Sequence, residues 1–119
     1  MPNPQKAKGT AFESDVAKML QNWGFDAWRM AQTGAEDQGD IGGLKDWAFE
    51  CRNRTKLDLA KNVDDANDRA RCKGSRYGVT VMKRRGRPVE DAYVAMDMST
   101  FCHLLGHIYD DETDCFCES

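Results

Sequence analysis

This 119-residue sequence predicts an α/β (α+β) fold in which helices flank a central sheet. Three observations carry that expectation. One apolar stripe has the 3.6-residue period of a helix, Trp47–Arg52 alternates with a period of two, and Tyr77–Met82 is a β-rich run followed by a turn and a return strand. The expected order is helix, three strands, helix, two strands, helix, about five strands in a mixed sheet. The length suits one domain, and there is no internal repeat.

Residues 1–9 are polar, with two prolines and two lysines, and are expected to form a basic arm before a single domain over 10–108. Thr10-Ala11-Phe12-Glu13 has the T-x-x-E form of a capping box, which starts a helix. Phe12, Val16, Met19, Leu20 and Trp23 give that helix one apolar face, and Gly24 ends it. Phe25–Met30 is a short extended segment, 33–39 a loop, and Asp40–Leu44 a glycine-bearing strand. In the next strand Trp47, Phe49 and Cys51 point one way and Ala48, Glu50 and Arg52 the other. Asp58 is placed to cap a second helix carrying Leu59, Val63, Ala66 and Ala70, which ends near Gly74. Tyr77–Met82 and Ala92–Met96 flank the basic turn Lys83–Pro88. Ser99 starts a last helix with Phe101, Leu104, Leu105 and Ile108, and 109–119 forms an acidic tail.

Composition narrows the function classes. Apolar residues make up 40% and charged residues 31%, as in globular domains. No apolar run reaches the roughly 18 residues of a membrane span, and the first residues lack a signal-peptide core. Five scattered cysteines are expected to be reduced thiols in a cytoplasmic protein. No P-loop or dinucleotide glycine motif is present, so no nucleotide cofactor is expected.

The formal net charge of −3 conceals an asymmetry. Residues 109–119 hold five acids and no base. Between Arg69 and Arg87 stand Arg69, Arg71, Lys73, Arg76, Lys83, Arg84, Arg85 and Arg87 with no acid. Such a block supplies phosphate contacts to nucleic acid, or forms a solvated helix end and hairpin loop. Late in the chain, His103, His107, Cys115 and Cys117 are four donors of the kinds zinc takes, in a spacing that matches none of the usual zinc modules. A zinc- or thiol-dependent interaction protein is the corresponding minor alternative.

The densest information lies in Gly39–Arg52. If Asp40–Leu44 and Trp47–Arg52 form a hairpin, Asp40 falls opposite Glu50, with Cβ atoms about 5 Å apart. A divalent cation such as Mg²⁺ between the carboxylates relieves their repulsion. Arg52 adds a positive charge on the same face, and Glu13 is a possible third carboxylate. Each residue also has an ordinary structural role: helix cap for Glu13, turn residue for Asp40, solvent-face pair for Glu50 and Arg52.

Gly39-Asp40-Ile41, the nine-residue gap and Glu50-Cys51-Arg52 resemble the PD-(D/E)XK nuclease signature, with Glu13 at its helix glutamate. Lys8–Glu13, Gly34–Ile41, Glu50–Asn53 and Lys83–Gly86 resemble small phage-encoded Holliday-junction resolvases of that superfamily, over roughly residues 6–106. The resemblance implies a restriction-endonuclease-like core and Mg²⁺-dependent cleavage of branched or duplex DNA, with Mn²⁺ as a substitute. It also implies a homodimer, and a bacterial host's cytoplasm as the setting. Asp40, Glu50 and the Cys51 carbonyl are then metal ligands, and Glu13 an outer or second-metal ligand. Lys6, Lys8 and the basic block between Arg69 and Arg87 are then DNA contacts. The family lysine falls on Arg52, a departure. Lysine can give up its proton and arginine cannot, so Arg52 can orient water or stabilise charge but not act as a base. The resemblance therefore admits both an active resolvase and a weakened relative that binds branched DNA without cutting it.

Overall fold

The computed structural model describes residues 4–30 and 39–117, with side chains for 8–30 and 39–110. Helix α1 (Pro4–Asn22) leads to strands β1 (Trp28–Arg29), β2 (Ile41–Gly42) and β3 (Trp47–Arg52). Helix α2 (Leu59–Lys73) crosses to β4 (Tyr77–Met82). A 3-10 turn (Val89–Asp91), strand β5 (Tyr93–Ala95) and helix α3 (Met98–Cys117) complete the chain. The element order matches the one expected from sequence.

The strands form two sheets rather than one. β3, β4 and β5 lie side by side, β3 parallel to β4 and β4 antiparallel to β5, whereas β1 and β2 form a separate antiparallel pair. The expected hairpin between β2 and β3 is not a ladder. β2 spends its backbone on β1, and the chain before β3 is joined to it by a 2.7 Å bond from the Asp40 N–H to the Phe49 carbonyl and by the Trp47 N–H to the Leu44 carbonyl at 3.0 Å.

One face of the three-stranded sheet packs on α1. Phe12, Val16 and Ala17 close over Phe49, Cys51, Val79 and Val81, with Ile41 and Ala27 completing the core. Ala48, Glu50 and Arg52 face α2, as the alternation requires. Gly78 makes that packing possible, since a Cβ there would strike the Ala66 carbonyl of α2. α2 begins where expected, the Asp58 carboxylate accepting the Lys61 N–H at 3.1 Å, and ends on Gly74 in the left-handed conformation.

Several local expectations are corrected. α1 starts at Pro4, so the arm is largely helical; proline suits a first helical position, and Gln5–Lys8 are good helix formers. Thr10 and Glu13 lie inside the helix, and no capping box forms. α1 stops at Asn22, which leaves Trp23 past its last turn and 75% exposed rather than in the core. In α2 Asn62 is buried and Leu59 exposed. Asp97, not Ser99, caps α3 through the Thr100 N–H at 2.8 Å. α3 runs on through Cys117, so 109–117 continues a helix. Among the described residues no helix is long and apolar enough to cross a membrane.

Candidate active site

At the C-terminal ends of β3 and β4 three oxygens converge on one point. Asp40 is 3% exposed and Glu50 2%, a degree of burial carboxylates accept only when paired. Gly39 sets the approach: its φ is +99°, and a Cβ there would stand 2.9 Å from the Phe49 carbonyl oxygen. Asp40 therefore lies flat against β3, and its Oδ2 accepts the Cys51 N–H at 2.7 Å. Asp40 and Glu50 are neighbours, as the hairpin argument expected, but a side-chain-to-backbone clip holds them there.

Arg52 reaches back into this corner. Its Nη1 donates to Glu50 Oε2 at 2.8 Å and to the Cys51 carbonyl at 3.0 Å, and stands 3.8 Å from Asp40 Oδ2. Its Nη2 donates to Asp65 Oδ2 on α2 at 3.2 Å. Arg69, also on α2, brings Nε within 3.0 Å of Glu50 Oε1. Burial works against the Arg52 charge, but the hydrogen bond to Glu50 and the charges of Glu50 and Asp40 more than offset it, raising its pKa. The Cys51 thiol is pushed up, by burial first and then by the charge of Asp40. That thiol is a core group; its carbonyl is the part that faces the site.

Glu13 sits on the other side of Asp40, sharing a side-chain hydrogen bond with it, 3.8 Å from Arg29 of β1. Burial, then the negative charge of Asp40, raise the Glu13 pKa from 4.5 to about 7. The folded state thus holds this proton more tightly than the unfolded chain. Its stabilising contribution is complete below about pH 4.5 and is lost as pH rises through about 7. Unfolding midpoints in urea, with chelator present, should fall more steeply between about pH 5 and about pH 8 for the wild type than for Glu13→Gln. Equal slopes would contradict this.

Asp40, Glu50 and the Cys51 carbonyl are hard oxygen donors of the kind Mg²⁺ and Mn²⁺ accept, and they already surround a cationic nitrogen. In donor chemistry the residues fit such an ion. Glu13 is held against Asp40 rather than added as a third carboxylate, and among the described residues no three His, Cys, Asp or Glu side chains form a metal-holding group.

The basic block divides. Lys83–Arg87 follows β4 at the site end, where the Lys83 N–H donates to the Arg52 carbonyl at 2.9 Å. There Arg84 lies over the Tyr93 ring at 4.8 Å, Arg85 is exposed, Lys83 Nζ donates to the Arg87 carbonyl and Arg87 pairs with Asp91. Lys8 is exposed at the same end, its carbonyl accepting from Asn53. Arg71, Lys73 and Arg76 lie toward the opposite end of β4, roughly 17 Å away. Arg71 pairs with Asp68, and Arg76 with Asp46 and His107. The Lys73 ammonium donates to the Leu44 and Trp47 carbonyls, and burial lowers its pKa. It ties a loop to a helix end. The Lys6 side chain lies outside the described residues, as do those of Cys115 and Cys117. His103 is exposed on α3, and His107 packs edge-on against Tyr77.

Sequence reasoning assigned Arg69 to DNA and passed over Asp65 and Arg29. The signal for the first two was present. Asn62, Asp65 and Arg69 follow one another at helical spacing beside the buried Ala66 and Ala70, a polar stripe aimed at the sheet. For Arg29 no local pattern existed, since its partner lies on α1.

No family model and no curated protein matches the chain. Among solved structures it is similar to Hjc of Archaeoglobus fulgidus, a Holliday-junction resolvase from an archaeal hyperthermophile. The two are 27% identical over 78% of this chain and 86% of that one, with a TM-score of 0.50. The likeness to junction resolvases read from four short motifs thus extends to the fold.

Proposed function

We propose that this chain is a metal-dependent endonuclease that resolves four-way DNA junctions as a homodimer. The observation that carries the reading is the convergence of Asp40 Oδ2, Glu50 Oε2 and the Cys51 carbonyl on one cationic point, in a fold similar to that of a junction resolvase. Bound there, Mg²⁺ or Mn²⁺ would activate water and neutralise charge growing on the scissile phosphate. Asp40 and Glu50 supply the negative charge, and the clip to Cys51 holds one of them in place before substrate arrives. Arg52 is permanently charged, so its role toward the phosphate is electrostatic rather than proton transfer. Paired cuts in a two-fold junction need two such sites, and the described residues of one chain hold one such corner. The edge strand β5 supports a second copy: Tyr93 and Val94 on it, and Met98 at the start of α3, are large apolar residues left exposed.

Phosphate contacts are assigned to the loop Lys83–Arg87 and to Lys8, which share the site's end of the molecule. Replacing Arg84 and Arg85 together with alanine should weaken junction binding. It should also make the slope of log affinity against log salt shallower by about two units. The Arg71→Ala, Arg76→Ala pair, toward the far end of β4, should leave that slope unchanged. The reverse ranking, measured by fluorescence anisotropy over a salt series, would overturn the assignment.

A second reading is favoured by the place of Arg52 itself. A chain whose guanidinium already fills the cation position binds junctions and cuts them poorly.

A further inference from the structure

We infer that Arg52 is a built-in competitor for the divalent cation, so that the metal binds only when the guanidinium leaves the Asp40–Glu50 corner. The inference deepens the metal-dependent reading above and rests on it. Nη1 contacts Glu50 Oε2 and the Cys51 carbonyl at 2.8 and 3.0 Å and stands 3.8 Å from Asp40 Oδ2. Those are the three donors a metal would use. Metal–oxygen bonds to Mg²⁺ are about 2.1 Å long, so ion and guanidinium cannot share the corner, and their like charges repel.

The fold also gives the displaced side chain an anchor. Nη2 is already bonded to Asp65 Oδ2, outside the corner, and Asp65 is held in turn by Lys61 Nζ at 3.0 Å. The Lys61 hydrogen bond is the largest influence and lowers the Asp65 pKa; burial opposes it, and the weaker hydrogen bond from Arg52 adds to the lowering. Asp65 therefore stays ionised as a partner. Arginine suits this post because its planar fork spans both anchors, whereas one ammonium nitrogen reaches a single point. In the resting protein the guanidinium offsets two buried carboxylates, which would otherwise destabilise the fold. Arg52 and the metal are alternative occupants of one electrostatic role.

The test is Mn²⁺ binding by titration calorimetry, with thermal unfolding in chelator and in saturating Mn²⁺, for wild type, Arg52→Ala and Arg52→Gln. Competition predicts that removing the guanidinium tightens Mn²⁺ binding by about tenfold or more. It also predicts that the variants melt below wild type in chelator and recover with Mn²⁺, which moves the wild type much less. Should Arg52→Ala fail to fold, Arg52→Gln keeps the stem and a donor and is read in the same way. Equal Mn²⁺ affinity in wild type and variants would overturn competition while leaving the nuclease reading intact. Variants destabilised without recovery would make Arg52 a structural ion pair only. No Mn²⁺ binding by any variant would overturn both this inference and the metal-dependent reading beneath it.

Discussion

Asp40→Asn should abolish metal-dependent junction cleavage, lowering its rate by about three orders of magnitude, while junction affinity stays close to wild type. Asparagine keeps an oxygen that can accept the Cys51 N–H now bonded to Asp40 Oδ2 at 2.7 Å, so the clip to β3 survives. What disappears is one of the two negative charges at the corner, and with it the attraction for a divalent ion. The phosphate contacts assigned to Lys83–Arg87 and Lys8 lie on loops and helix ends that the substitution does not touch. Cleavage rates and anisotropy on the same preparation separate the two effects. A variant that cuts as fast as wild type would remove Asp40 from the site.

Arg52→Lys should have the opposite sign. The shorter ammonium cannot hold Glu50, the Cys51 carbonyl and Asp65 together, so the corner opens to the ion. Lysine can also lose a proton when its pKa is depressed, and a positioned general base is worth about a hundredfold or more. The expected result is a gain of about a hundredfold in cleavage rate, with a rising pH limb that the wild type lacks. An unchanged rate would show that Arg52 limits neither the ion nor the proton transfer. A gain without the new pH limb would assign the effect to metal access alone.

What could be read from the sequence follows from the range of the forces involved. The Asp58 cap, the Gly74 stop and the β3 alternation are set by neighbours within a few residues, and each stands where its pattern places it. The neighbourhood of Asp40 and Glu50 was also legible, because a short connection leaves few ways to bring 40 and 50 apart. Its mechanism was not legible: a carboxylate clipped to a backbone N–H leaves no periodicity. Thr10–Glu13 misled because T-x-x-E is equally at home inside a helix, and only the run from Pro4 decides the matter. Trp23 misled because helical periodicity was extended one residue past Asn22, where the chain turns and the indole swings into solvent. Arg69 was counted with the basic block by charge alone, while its position on the sheet-facing stripe of α2 sends it to Glu50 at 3.0 Å.

The central claim, a metal-dependent nuclease selective for branched DNA, is tested most directly with a labelled four-way junction beside a linear duplex of the same sequence. Wild type and Arg52→Lys are each incubated with Mg²⁺, Mn²⁺ or chelator. The account predicts paired nicks in the junction with either ion, faster for Arg52→Lys, with little cutting of the duplex and none in chelator. Junction binding with no cleavage by either protein in any metal would contradict the nuclease, and equal affinity for junction and duplex would contradict the substrate.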